Sequence, residues 1–142
     1  MKRISSKATV YLIDGSNFSR SFWDNLRSGK PDALETEFLN WLDAVSRLEV
    51  LSVSSFRVVF DGEFRHVRAL ANPSMTVYFS GRESADDFLL ERAYFLTMEG
   101  VRCVIVSNDR EIREKASGEK VASMTCDSFY RLCDSELRKE SK

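Results

Sequence analysis

Five short apolar runs, each closed by a polar or turn-forming residue, set the rhythm of the chain: ATVYLI (8–13), FRVVF (56–60), MTVYF (75–79), VRCVIV (101–106) and KVASM (120–124). The middle members are nearly continuous in apolar residues, the pattern of strands covered on both faces. Between the runs, apolar positions return at helical spacing. In 33–51 they are Leu34, Phe38, Leu39, Leu42, Val45 and Leu48, with Glu and Asp on the other face; in 84–98 they include Ala85, Phe88, Leu89, Ala93 and Leu96. Ser84 is the expected N-cap of the second helix, the acids just after it suit the positive end of the helix dipole, and Gly100 stops it. Shorter helices are predicted over 109–117 and 127–139, with Pro31 and Pro73 in loops.

Alternation of strands with helices implies a mostly parallel central sheet of about five strands with helices on both sides, a three-layer α/β/α sandwich. The 142 residues suit a single domain, 1–142, with one full core. No repeat or interdomain linker breaks the pattern, and 1–7 and 138–142 are expected to be flexible ends.

Composition changes this picture little but removes several function classes. Hydrophobic residues make up 43% and charged residues 30%, ordinary for a globular protein. No apolar run is long enough to span a bilayer, and MKRISSK is followed only by a strand-length run ending on Asp14, so neither a membrane helix nor a secretory signal is expected and the setting is cytoplasmic. The three cysteines, Cys103, Cys126 and Cys133, lack zinc-ligand spacing and read as buried small hydrophobes. A net charge of -1 means that any polyanion must be held by a local patch. Arg20, Arg27 and Lys30 follow the first strand, Arg65 and Arg68 the second, Arg110 and Arg113 the fourth.

The strand ends carry the chemistry. The first run stops at Asp14, the second at Asp61 in VVFDG, and the fourth passes through VIVSND to Asp109. In a parallel sheet the carboxyl ends of all strands lie on one edge, where ligands bind. ESADDFL adds Asp86 and Asp87 in the first turn of a helix that starts near the same rim; neighbours on a helix diverge by about 100 degrees, so one of the two points inward more fully. Singly, each acid reads better as a turn residue or a helix-start residue than as a catalytic one. Together, four or five carboxylates in one crevice repel one another and require a cation. Oxygen ligands without histidine or cysteine partners select Mg²⁺ or Mn²⁺, which in metal-dependent nucleases hold a phosphodiester and activate water. His66, the single histidine, leaves little room for a histidine-based mechanism.

The segments LIDGSN, VVFDG, ESADDFLLERA and VIVSND resemble, in order and spacing, the NYN branch of the PIN-like nucleases, and most closely its YacP-like subgroup. The resemblance covers roughly residues 8 to 124. It implies a PIN-like fold, with the first strand central between the second and fourth, and an endoribonuclease that uses Mg²⁺ or Mn²⁺ to hydrolyse RNA phosphodiester bonds. Carried over by position, it implies metal-liganding or catalytic roles for Asp14, Asp61, Asp86 and Asp109, with Asp87 as a further possible ligand. Asn17 matches the asparagine after the first strand and Ser107 the hydroxyl residue before the last acid, both as supports; Ser84 joins them. Ser16 stands where the subgroup has tyrosine, which bears on substrate contacts.

Single-stranded RNA is the expected substrate, because a narrow acidic crevice admits one strand more easily than a duplex. Arg20, Arg65, Arg68, Arg82 and Arg110 are candidates for flanking phosphates, and Phe18, Phe22 and Phe64 for base stacking, against the alternative that these rings are core. Family analogy adds the ribosome or other RNA-processing machinery as a partner. The rival reading is a non-catalytic RNA- or protein-binding module on the same fold. A receiver domain lacks its acid pair and its lysine, P-loop and dinucleotide-binding glycine motifs are absent, and a haloacid-dehalogenase phosphatase would need an aspartate where Ser16 stands.

Overall fold

A computed structural model of the chain describes residues 3–23, 31–64 and 72–140. Its strands are β1 (Val10–Asp14), β2 (Ser55–Phe60), β3 (Met75–Phe79), β4 (Cys103–Val106) and β5 (Ala122–Met124). They form one parallel sheet in the order β3-β2-β1-β4-β5, so β1 is central and Asp14 stands beside Val59 in the register. The helices are α1 (Gly15–Trp23), α2 (Pro31–Ser46), α3 (Ala85–Met98), α4 (Arg110–Gly118) and α5 (Cys126–Glu140), with a short 3₁₀ turn at Glu49–Leu51.

Side chains alternate across each strand, and two cores follow. Tyr11, Ile13, Phe56, Val58, Phe60 and Val106 face α1, α2 and α5; Leu12, Val59, Cys103 and Ile105 face α3 and α4. The first core is aromatic. Phe18 lies 4.8 Å from Phe38 and meets Phe129 edge-on at 6.1 Å, and complete burial of such a ring contributes roughly 1.5–3 kcal/mol. The second is aliphatic, built from Ala85, Leu89, Ala93, Ile112 and Ala116.

Two local expectations are corrected. A nine-residue helix, α1, leaves the first strand at once, where the sequence reading had a turn-type residue and no helix. GSNFSRSFW begins with poor helix formers, and it is helical because tertiary packing overrides propensity: Phe18 enters the aromatic core. Pro31 is the first residue of α2 rather than part of a loop, a position where its missing N–H costs nothing. The 33–51 segment divides into α2 and the 3₁₀ turn.

Of the two ends expected to be loose, the described part of the first buries Ile4 in the core and pairs Arg3 with Glu136 at 3.0 Å, while α5 continues to Glu140. Cys103, Cys126 and Cys133 are all buried thiols, and burial pushes Cys126 up to about 12. No helix among the described residues is long and apolar enough to cross a membrane.

Candidate active site

Asp14 closes β1 on the face that carries Leu12, so its side chain projects on the α3 and α4 side of the sheet. It is 5% exposed. Its Oδ1 accepts the backbone N–H of Asn17 at 3.2 Å and its Oδ2 the Ser107 hydroxyl at 3.3 Å. The same hydroxyl accepts the Asp109 N–H at 3.1 Å, so Ser107 links the first and last acids of the rim. Asp109 is the N-cap of α4, accepting from Glu111 N–H at 2.9 Å. Asp61 accepts the N–H of Ala85, the first residue of α3, at 3.1 Å. That bond brings the start of α3 to the end of β2 and delivers Asp86 to the rim.

Electrostatics show that these carboxylates share one space. Burial, the largest cause, raises Asp14 above the ordinary carboxylate range, and Asp61 pushes the same way, against the Asn17 N–H, the Ser107 hydroxyl and the Arg20 charge. Asp86 is pushed up to about 6, by burial first, then by a hydrogen bond shared with Asp109 and by the charges of Asp109, Asp14 and Asp61. Asp14, Asp61, Asp86 and Asp109, from four segments, therefore act on one another at the rim. As they stand, no three His, Cys, Asp or Glu side chains among the described residues are gathered closely enough to hold an ion. The donor set itself, made of carboxylate oxygens, is chemically suited to a hard divalent cation.

The other expected residues divide. Ser84 is the N-cap of α3, accepting from Asp87 N–H at 3.1 Å. Asp87 is exposed and its charge acts, with that of Asp86, on Lys115 of α4. Arg20 is exposed and acts on Asp14. Arg82 is exposed in the turn before α3, and Arg110 pairs with Glu114 at 2.9 Å. Arg65 and Arg68, with Arg27, Lys30 and His66, lie outside the described residues. Phe18 is fully buried, so it is core and has no face for a base. Phe22 stacks on Tyr130 at 4.4 Å, whereas Phe64 is 71% exposed and rests edge-on against Phe79.

Two residues of the site take structural roles that the sequence reading did not assign. Ser16, expected to bear on substrate contacts, is buried, and its hydroxyl accepts the Asp61 N–H at 2.9 Å. It positions an acid. Asn108 was overlooked because an asparagine between a serine and an aspartate reads as loop; its backbone N–H donates to Asn17 Oδ1 at 3.0 Å, and its Oδ1 accepts the N–H of Cys126, the first residue of α5, at 2.8 Å.

Comparison with known proteins gives the family and the fold. The family model described as the YacP-like NYN domain matches residues 11–142. The chain belongs to the YacP-like NYN family. The fold of that family is of the RNase-type nuclease kind. Two crystal structures of Rae1 (YacP) from Bacillus subtilis are similar to this chain: a W164L mutant, with a TM-score of 0.74, 16% identity and coverage of 92% of this chain and 78% of that one, and the protein without that substitution, with a TM-score of 0.74, 16% identity and coverages of 93% and 77%. At that identity the likeness speaks for the fold, and the five-stranded parallel sheet is the shared architecture. No curated protein matches the chain.

Proposed function

We propose that this YacP-like NYN domain is a divalent-metal-dependent endoribonuclease that hydrolyses phosphodiester bonds of single-stranded RNA. The observation that carries the reading is the convergence of Asp14 at the end of β1, Asp61 just after β2, Asp86 at the start of α3 and Asp109 at the N-cap of α4, each held by a named donor or by a neighbouring acid. These four residues would hold Mg²⁺ or Mn²⁺, with Asp87, next to Asp86 in the first turn of α3, as a further candidate carboxylate. When bound, the ion supplies Lewis-acid stabilisation of phosphoryl oxygens and a nucleophilic water at neutral pH.

The chain's own groups prepare that site. Asn17 N–H and the Ser107 hydroxyl fix the plane of the Asp14 carboxylate. Ser16 holds the Asp61 backbone, and Asp61 in turn caps α3 so that Asp86 meets Asp109. Burial and the neighbouring acids raise Asp86 to about 6, and a bound cation would offset the same crowding of charge. Arg20 and Arg82, both exposed, are candidates to hold flanking phosphates, and Phe64, exposed beside Phe79, is a candidate to meet a base. The same reading places the protein in the cytoplasm, meeting RNA free or on the ribosome; co-sedimentation with ribosomes tests the latter.

Purified protein incubated with end-labelled single-stranded RNA should give internal cleavage products with Mn²⁺ or Mg²⁺, none with EDTA and none with Asp14→Asn. Binding that survives chelation with no product at any metal concentration would make the domain a binding module instead. Undiminished cleavage by Asp14→Asn would remove the acid rim from the chemistry.

A further inference from the structure

Asn108 joins three parts of the rim. Its backbone N–H donates to Asn17 Oδ1 at 3.0 Å, its Oδ1 accepts the Cys126 N–H at 2.8 Å, and its Nδ2 donates to Ser21 Oγ at 3.4 Å. Ser21 Oγ donates in turn to the Asn17 carbonyl at 2.8 Å, and the Cys126 thiol lies 3.5 Å from Asn17 Oδ1 as a second donor. The start of α1, the β4–α4 connection and the start of α5 are thus tied around one amide.

The consequence concerns the other end of that amide. A carboxamide has an acceptor end and a donor end in one plane. With Oδ1 of Asn17 held by two donors, a flip would set N–H against N–H, so the donor end has one available direction. Among the described residues, Asn17 Nδ2 has no protein acceptor. Asn17 is half-buried, and its own backbone N–H holds Asp14, so the residue that carries this donor pair is bonded to the most buried acid of the rim.

A neutral donor suits this place physically. A lysine or arginine here would be captured by Asp14 as an ion pair, whereas an amide brings two N–H groups without net charge, and its own oxygen is already occupied. An anionic oxygen approaching four carboxylates needs such donors near at hand. We propose that Asn108 is a positioning residue that locks the Asn17 amide, so that its two Nδ2 protons are presented to a non-bridging phosphoryl oxygen of the RNA strand beside Asp14. This rests on the nuclease reading for the identity of the ligand.

The test compares wild type with Asn108→Ala and Asn108→Asp on a six-nucleotide single-stranded RNA. Asn108→Asp keeps acceptors for Cys126 N–H and the Ser21 hydroxyl, and its charge lies at the N-terminus of α5, where negative charge is favoured. Below the melting temperature of every variant, Asn108→Ala should lower kcat about 10- to 100-fold with KM changed about twofold or less, and Asn108→Asp should recover most of that loss. In nuclear magnetic resonance spectra with Ca²⁺, the Asn17 side-chain amide signals of the wild type should shift on adding this RNA, and in Asn108→Ala they should broaden and respond weakly. Unchanged kcat in Asn108→Ala, equal loss in both variants, or wild-type Asn17 signals unmoved by RNA would overturn the proposal. If wild type yields no product at all, the nuclease reading fails on its own, and the Asn17 signals still decide: a shift with RNA retains the clamp as a phosphate-holding device, and no shift ends it.

Discussion

The Ser16 hydroxyl accepts the backbone N–H of Asp61 at 2.9 Å, tying the first turn of α1 to the residue that follows β2. Asp61 then uses its carboxylate to hold the first N–H of α3. One buried serine therefore stands behind the placement of two acids. Ser16→Ala should lower stability by ~1 kcal/mol, a fall of about 3 °C in melting temperature. It should also weaken cleavage through misplacement of Asp61 and Asp86, while Ser16→Thr, which keeps the acceptor, loses less. Thermal melts and single-turnover cleavage read both effects.

Crowded carboxylates make the metal-free rim a source of instability whose sign follows from the Asp86 value. Its native pKa of about 6 lies above the ordinary 3.8, so between these values the native state binds the extra proton and stability falls as pH rises. Asp86→Asn removes that loss. In EDTA, urea denaturation should show the variant more stable than wild type at pH 7.5, with the gain shrinking towards pH 4. The effect is modest because the carboxylate is partly in water.

Asp86 and Asp87 are neighbours with different surroundings. Asp86 meets Asp109, whereas Asp87 is exposed towards Lys115. Asp86→Asn should reduce metal-dependent cleavage to background, and Asp87→Asn should reduce it far less. Initial rates over a Mn²⁺ titration make the comparison, and equal losses would put Asp87 among the metal ligands.

Gly15 separates β1 from α1 at a point of close packing. A Cβ there would lie 2.6 Å from both Val58 Cγ1 and Phe60 Cε1. Gly15→Ala should cost about 1–3 kcal/mol through overpacking, seen as a lower urea midpoint with an unchanged slope.

Arg20 and Arg82 are exposed on the rim side of the molecule, and Arg110 is engaged by Glu114. Replacing Arg20 and Arg82 by alanine should weaken RNA binding and reduce its dependence on salt, each lost phosphate contact lowering the slope by about 0.7 for a single strand. Arg110→Ala should have a smaller effect. Fluorescence anisotropy with Ca²⁺ at several salt concentrations measures all three.

Legibility from sequence varied with the range of the interaction that decides each feature. MTVYF was predicted over 75–79 and is β3, residue for residue, because a buried strand bounded by turns announces itself locally. Ser84 caps α3 as expected, since an N-cap acts on an N–H three residues away. Pro31 and α1 were misread because neither has a decisive local signal: one is compatible with a loop or a helix start, and the other becomes helical when Phe18 reaches Phe38 and Phe129. Phe18 was for the same reason a plausible base-stacking ring until its complete burial was seen.

By itself the sequence determined the order of the strands and of the later helices, the parallel sheet and the set of acids at strand ends, because period-2 and period-3.6 patterns and terminal carboxylates are written within a few residues. Only the tertiary structure decided how the acids are held and which of two adjacent ones meets the rest. Ser16 joins Asp61 across 45 residues, Ser107 joins Asp14 across 93, and Asn108 meets Asn17 across 91. Hydrogen bonds over such separations depend on strand order and helix placement, and no local pattern in the chain encodes a partner that arrives only when the sheet closes.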